Sequence, residues 1–532
     1  MALPPLGQDG LRARPGGLSI LYLIVDYGSS SCRASIVDEN WSIVESARVA
    51  TGLKRDESGG AEVDPDSVWA TIRKTIHRLV SAVDTEAAGK IDALGVSTIF
   101  GYVFLDGRDQ PLGGATTWYD ARAAKECVEL SRLLRRDAEA GARRLAGITG
   151  RRPSPEWLAP LLLWHHHHAP ERLKKTTSVI GLKDEIIRRL TGVLGTDYAH
   201  QDYSMLWDVF SGRPSEAVAD ALSGAGLRIP GPLLREASPA QEGAGTLLPA
   251  VALDLGLPPG LPVCRGSSDG TAAMYGAGVL RPEGAALVAG TTDVLMRYVP
   301  GAGDLETPGA LSVNRGMEGG FLVGGATASS TRAVEVVCEL LGLKPHEAFA
   351  ALGTAIQEEM ARETGGGSPA EASTGSRPRL VPPVVFPAFF GERAPFWDDR
   401  LSGSVAGLRP EHRPLDIFRG TLEGTGYRLK LLLDALEPVA DVSVTGGGGE
   451  IAPWNQIRAD TMDTVLRQLA NPEATTIGTA MFCRSLLEGV TLGFLTEGLF
   501  EGAIDYSPRH REYHRKRRHH FDTLAAVSRL EE

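Results

Sequence analysis

Residues 21–26, LYLIVD, are an apolar run that ends in Asp26. YGSSS turns the chain, CRASIVD (32–38) reads as the returning strand, and IVESARVA (43–50) alternates as a third. Asp64-Pro65 starts a helix, with Asp64 as N-cap and Pro65 at the first helical position, and the pattern carries it to about Val83. Ile91–Val96 returns to strand, and TIFGYVFLD leads into a second turn. Strands, a helix and a strand in this order make an α/β unit. A helical region opens at Trp118-Tyr119-Asp120-Ala121-Arg122, and helices follow at 157–168 (WLAPLLLWHHHH) and 182–192 (LKDEIIRRLTG). A proline-rich stretch, 229–262, leads to a loop, GSSDG, and a small-residue helical run, TAAMYGAGVL, which Pro282 and Gly284 end. A strand then enters the turn Gly290-Thr291-Thr292. AALVAGTTDVLMRYV repeats the strand–turn–strand pattern of LYLIVDYGSSSCRASIV about half a chain later, so two copies of one α/β unit with a cleft between them are expected. VSVTGGGGE (442–450) is a strand into a glycine turn; PWNQIRADTMDTVLRQL and TAMFCRSLLEGV read as helices.

With 532 residues, 42% hydrophobic, two large domains are expected. Net charge is −11 and no basic stripe precedes the last 30 residues, which argues against a nucleic-acid partner. No apolar run reaches the ~18 residues of a membrane span. The five cysteines, Cys32, Cys127, Cys264, Cys338 and Cys483, are scattered without a CxxC, as suits free thiols in a reducing cytoplasm. Residues 1–18 read as a loose leader, 363–379 as a low-complexity surface insertion, and the basic run PRHREYHRKRRHH as part of a tail, 507–532, that is either solvated or paired with an acidic surface of this acidic chain. His165–His168 are four successive positions on a helix and point in different directions, so they read as surface helix rather than a metal site.

Three glycine and hydroxyl turns follow strands: Gly28–Ser31, Gly290–Thr292 and Gly446–Gly449. One such turn is usually just a hairpin. Three in repeated units favour a nucleotide cleft, because glycine permits close approach and backbone N–H groups hold phosphate. There is no GxxxxGK[ST] and no strand–GxGxxG–helix, so neither a P-loop enzyme nor a dinucleotide dehydrogenase is indicated. Asp26 and Asp269 each read in two ways. Each can cap its own turn; alternatively Asp26 holds Mg²⁺ beside phosphates and Asp269 takes a proton from a hydroxyl.

At this point several blocks resemble the FGGY carbohydrate kinases. VDYGSSSCRASIVD resembles their first phosphate motif, GAEVDPDSVW their acidic-proline-tryptophan helix start, TTWYDARA their W-x-D-x-R segment, and LLLWHHHHAPERLKKTTSVIGLKDEIIRRLTG their helix-to-LTG stretch. RGSSDGTAAMYGAG is similar to the segment with the catalytic aspartate, VAGTTD to the second phosphate motif, FFGERAPFWDDRLSGSVAGL to the GERxP block, and TGGGGEIAPWNQIRADTMDTVL to the adenosine motif. The blocks stand in family order over about residues 21–490.

The resemblance implies an α/β fold of two ribonuclease-H-like domains of the actin–hexokinase type, 19–280 and 281–506, with an interdomain cleft for ATP, Mg²⁺ and a sugar. It implies Asp269 as general base and Asp26 at the metal. Gly28, Ser29, Ser30 and Arg33 would face the γ-phosphate; Gly290, Thr291 and Thr292 the other phosphates; Gly447, Gly448 and Gln456 the adenosine. Phe100, Trp118, Asp120 and Arg122 would line or support the sugar pocket. The implied reaction is phosphorylation of a primary hydroxyl of a small sugar, polyol or sugar acid, and the GERAPFWD block leans to the xylulose- and gluconate-kinase branch. An actin-like or chaperone-like ATPase switch, or a sugar-binding protein without catalysis, are the alternatives. The sequence does not set the oligomeric state; a homodimer stays an option.

The chain departs from the family in two places. Serines stand where the first loop usually has Gly-Thr-Thr, and hydroxyl donors survive. Ile99-Phe100-Gly101 stands where xylulose kinases carry Met-His-Gly and glycerol kinases Arg-Glu. An apolar wall discriminates between acceptors by only ~1–3 kcal/mol, and Phe100 either stacks on the acceptor or fills the core behind its strand.

Overall fold

The computed structural model describes residues 20–529 apart from 54, 58, 84–88, 230–232, 302–308, 365–379 and 437. The leader, most of the low-complexity insertion and the last three residues of the tail lie outside the described residues.

Two sheets organise the chain. The first has six strands, in the order β5-β6-β4-β1-β2-β3. These are β1 Leu21–Tyr27, β2 Ser31–Asp38, β3 Ile43–Ala50, β4 Ile91–Thr98, β5 Gly243–Thr246 and β6 Pro262–Cys264. β1 pairs antiparallel with β2 and parallel with β4. The second sheet has seven strands, in the order β9-β10-β8-β7-β11-β12-β13: β7 Gly284–Ala289, β8 Asp293–Val299, β9 Ser312–Arg315, β10 Phe321–Ala326, β11 Asp441–Thr445, β12 Val465–Gln468 and β13 Ile504–Tyr506. β7 pairs antiparallel with β8 and parallel with β11. The expected repeat is therefore a repeat of topology. In each half a hairpin with a glycine turn lies beside a parallel strand, and the turn falls at the end of the parallel pair where open α/β sheets bind ligands.

The helices that matter to the site are α1 Pro65–Ala82, α2 Leu158–His168, α3 Leu182–Thr191, α4 Tyr198–Tyr203, α5 Asp269–Gly276, α6 Pro414–Asp434, α7 Ala452–Met462, α8 Ala474–Glu488 and α9 Arg511–Val527. Asp64 caps α1 through its carboxylate, which accepts from Asp66 and Ser67 N–H, with Pro65 in the first turn. α8 belongs to the second half of the sequence, yet it lies on α5, β4 and β1 of the first. Cβ atoms would foul this crossing. One on Gly276 would stand 2.0 Å from the Ala474 carbonyl oxygen, and one on Gly478 1.9 Å from that of Ala272. The two glycines let the helix backbones touch, so the halves share one apolar core that runs from Tyr22 and Ile24 to Phe482.

Two expectations need correction. The helix read through 453–469 stops at Met462, because Asp463 takes a left-handed φ of 56° and 465–468 pairs with β11 instead. The basic run near the C-terminus enters α9 and is not wholly solvated. Two of its arginines pair with acids of α6, in line with one of the two readings. The helix also docks a buried face: His514, Arg517, Phe521 and Ala525 recur every three to four residues and are buried. Arg517 pairs with Glu423 of α6 at 2.9 Å, and His514 Nδ1 meets the Tyr427 hydroxyl at 2.8 Å. Of the four histidines at the end of α2, His165 is buried against Phe104, and burial lowers its pKa to about 3. His167 and His168 are exposed enough to pair with Glu129 and Glu126.

Candidate active site

Asp26 stands near the end of β1, opposite Arg33 on β2 and Ser97 on β4. Its Oδ1 is buried without a hydrogen-bond partner. Burial, then the Asp269 charge, push its pKa up to about 7, with Arg33 opposing. A bridge between Thr98 and Ser268 brings the loop after β6 alongside β4, which delivers Asp269 to the same strand ends. Asp269 opens α5, where the unpaired helix N–H groups favour negative charge. Gly270 N–H donates to its Oδ1 at 2.7 Å. Burial raises the Asp269 pKa to about 6, against that hydrogen bond and the nearby His200. The carboxylate is thus mostly ionised at neutral pH, yet basic enough to take a proton.

The loop before Asp269 is fixed by a buried polar cluster. Asp197 contacts Lys183 Nζ at 3.2 Å, His200 Nδ1 at 2.6 Å and accepts from the Ser267 hydroxyl at 2.6 Å. α8 secures the other side: Thr475 donates to the Asp269 carbonyl at 3.4 Å, and Glu473 pairs with Arg33. The first turn closes through Gly28 N–H to the Ser31 carbonyl at 2.9 Å. Ser30 is exposed and Ser29 half-buried, so both hydroxyls border open space.

The second and third turns meet each other. Gly446 has a φ of +86°, and a Cβ there would lie 2.6 Å from the Ala289 carbonyl oxygen, immediately before Gly290. Gly448 is buried over the same carbonyl, whereas a Cβ on Gly447 would meet nothing within 4 Å. Thr291 is exposed; Ser330 N–H donates to its carbonyl at 2.7 Å, and the Thr331 hydroxyl donates to that of Gly290 at 3.0 Å. The glycine turn is held from α7 by Asn455 Nδ2 to the Gly449 carbonyl, 2.6 Å, and Arg458 Nη1 to that of Gly448, 2.8 Å. Gln456 points elsewhere: its amide nitrogen donates to Asp460 and to the Ser507 carbonyl. Asp293, which the sequence did not single out, is buried behind Thr292 with Arg458 3.6 Å away.

Of the residues expected near the sugar, Asp120 is buried, accepts from Ala61 N–H and pairs with Arg122 at 2.8 Å. Arg122 also reaches Glu62 at 3.0 Å and lies over Trp164, so both residues staple loops together. Trp118 is partly buried between two cores. Phe100 is 6% exposed and packs on Tyr102, Trp157, His200 and Tyr203 at ring separations of 4.8–5.3 Å. Trp157 and Tyr203 stack at 4.8 Å and are half-buried, and the Tyr203 hydroxyl lies beside Thr271, two residues past Asp269. Sequence reasoning missed this pair. The nearest signal was an aromatic at the start of α2.

The sequence profile of the FGGY family of carbohydrate kinases matches with its N-terminal domain over residues 21–276 and its C-terminal domain over 285–485. A xylulose kinase of Escherichia coli K12 is 27% identical over 83% of this chain and 84% of its own length. Two solved structures from Lactobacillus acidophilus superpose over 96% of this chain and 99% of theirs, both with a TM-score of 0.80. They are a ligand-bound xylulose kinase, 20% identical, and a gluconate kinase, 21% identical.

Proposed function

The chain belongs to the FGGY family of carbohydrate kinases, and from that premise we propose that it transfers the γ-phosphoryl group of ATP to a primary hydroxyl of a ketopentose such as xylulose, or of gluconate. Asp269 is the general base. It accepts the hydroxyl proton as the acceptor oxygen attacks phosphorus in line, and the phosphorus–oxygen bond to ADP breaks. The free hydroxyls of Ser29 and Ser30 and the backbone around Gly28 and Gly290–Thr292 donate to phosphate oxygens. Arg33 adds positive charge. Gly447 leaves room for the purine. Asp26 is suited to Mg²⁺, since its buried oxygen lacks any partner; the ion would neutralise phosphate charge. The observation that carries the reading is the approach of two carboxylates, Asp26 near the end of β1 raised to about 7 and Asp269 at the start of α5 raised to about 6, with the end of β4 between them.

The test is ADP release with ATP·Mg²⁺, with and without a panel of ketoses, polyols and aldonates. Release that depends on an acceptor and yields its phosphate ester supports the kinase reading. Hydrolysis indifferent to every acceptor indicates a nucleotide switch, and sugar binding without turnover a protein that has lost catalysis.

A further inference from the structure

Arg151 follows Gly150, the left-handed residue that ends the helix Ala138–Thr149. Its side chain is 2% exposed. Among the described residues no carboxylate forms an ion pair with it. Nη2 donates to the Val313 carbonyl at 3.5 Å and to Asn314 Oδ1, and Nε has no partner. A buried guanidinium in this condition is costly. The acids around it are committed elsewhere. Asp202 accepts from Arg315 N–H at 2.8 Å and Nε at 2.7 Å. Glu156 accepts from the Ser154 hydroxyl. Asp197 is held by Lys183, His200 and Ser267.

The guanidinium carbon stands 3.9 Å from the Tyr203 ring centre and 5.4 Å from that of Trp157. Cation–π attraction offsets part of the desolvation. It also places the charge at the half-buried aromatic pair whose other end, the Tyr203 hydroxyl, lies beside Thr271 on the helix that Asp269 opens. One ring thus spans from the charge to the helix of the base. Its apolar face suits the C–H face of a sugar. An arginine presents donors only, and a carboxylate presents acceptors only; a neutral hydroxyl presents both.

We propose that Arg151 sets acceptor specificity, and that the acceptor is a sugar acid of the aldonate class, its carboxylate at Arg151 and its primary hydroxyl at Asp269. The assignment rests on the kinase reading above. Its test pairs acids with their neutral counterparts on the full chain: D-gluconate against D-glucitol, and D-xylonate against D-xylulose and xylitol. Both kcat/KM and direct calorimetric binding are measured. The expected result is at least ~10-fold preference for the acids. In Arg151→Gln the acid-to-neutral ratio falls by ~10-fold or more, chiefly in KM, and Arg151→Lys restores part of it. Two outcomes overturn the proposal: a wild-type preference for neutral ketoses, or an equal loss for acids and neutrals in Arg151→Gln, which makes Arg151 only a contact to Asn314. The wild-type comparison decides even where the variant does not fold. Turnover of neutral acceptors alone leaves the kinase reading standing and removes this one. Binding of acids without turnover supports this one and removes the kinase reading.

Discussion

The two hairpins that begin the halves of the chain are built alike and charged differently. β1 and β2 turn through Gly28–Ser31, with Asp26 before the turn; β7 and β8 turn through Gly290–Thr292, with Asp293 after it. Asp293 is fully buried and has the guanidinium of Arg458 beside it. Asp26 has Asp269 as a close acid and an Arg33 that is shared with Glu473. One scaffold therefore carries in the second half a carboxylate only partly compensated by a cation 3.6 Å away, and in the first an under-compensated one that faces a second acid. Burial raises the pKa of both, and among the described residues neither Asp293 oxygen has a hydrogen-bond partner. A structural acid has its counter-charge built in. An acid meant for a cation or a proton is left short of one.

The largest effect should come from the under-compensated side. Asp269→Asn removes the proton acceptor while keeping size and the helix N-terminal contacts. kcat should fall at least ~10²-fold, the usual scale for a general base, with ATP affinity within a few-fold by calorimetry. Near-native turnover would remove the role. In the unmutated chain kcat/KM should fall with decreasing pH through about 6, where Asp269 takes up a proton.

Next come the paired substitutions Asp26→Asn and Asp293→Asn, which should move stability in opposite directions. The folded pKa of Asp26 is raised to about 7, mainly by burial. Its contribution to stability is therefore whole below its ordinary carboxylate pKa and is lost as pH rises through about 7. Above neutrality, without Mg²⁺, Asp26→Asn should stabilise the fold by ~1–2 kcal/mol after allowance for its partial exposure, read as a higher Tm. Asp293→Asn leaves Arg458 buried without its counter-charge and should cost about 3 kcal/mol. Thermal melts across pH decide it; a shift of the same sign in both variants would dissolve the contrast.

The third glycine turn offers a finer version of that comparison. Gly446→Ala meets a positive φ and the Ala289 carbonyl, and should destabilise by ~1–2 kcal/mol. Gly447→Leu projects into open space and should leave Tm nearly unchanged while weakening ATP by about one order of magnitude, if the purine lies there. Unchanged nucleotide affinity would take this turn out of the site.

What was legible in the chain was local. Apolar runs ending in Gly and hydroxyl residues marked both hairpins, Ser in the first and Thr in the second, and Asp64-Pro65 marked α1, because strand ends and helix caps are written in adjacent residues. Which side chain of α7 supports the glycine turn was not legible. Asn455, not Gln456, reaches the glycine turn, and neighbours on a helix point about 100° apart. The α5–α8 crossing was hidden, since Gly276 and Gly478 meet only in three dimensions. The same is true of Trp157 with Tyr203. In α9 the density of basic residues masked the apolar stripe of Phe521 and Ala525 with the buried stems of His514 and Arg517.

The smallest effect concerns Phe100, the apolar residue in a place where related kinases are polar. Its ring is enclosed on every side described. His200 stacks on it at 5.1 Å, and Tyr102, Trp157 and Tyr203 meet it edge-on. Only the last two of these rings belong to the half-buried pair, whose Tyr203 hydroxyl lies beside Thr271 on the helix that Asp269 opens. On the proposed kinase reading, Phe100 acts on the acceptor only through them, as a wedge that fixes their angle. Aromatic pairs of this kind contribute ~0.5–1.5 kcal/mol beyond burial. Phe100→Leu keeps the apolar volume and loses the ring contacts. It should lower kcat/KM a few-fold for all acceptors alike, and shift the acid-to-neutral ratio by less than ~3-fold, within the weak discrimination of an apolar wall. Trp157→Ala, by contrast, removes half of the stacked pair and should lower kcat/KM by more. A re-ranking of acceptors in Phe100→Leu larger than that in Trp157→Ala would place the Phe100 ring in the pocket itself and reverse this order.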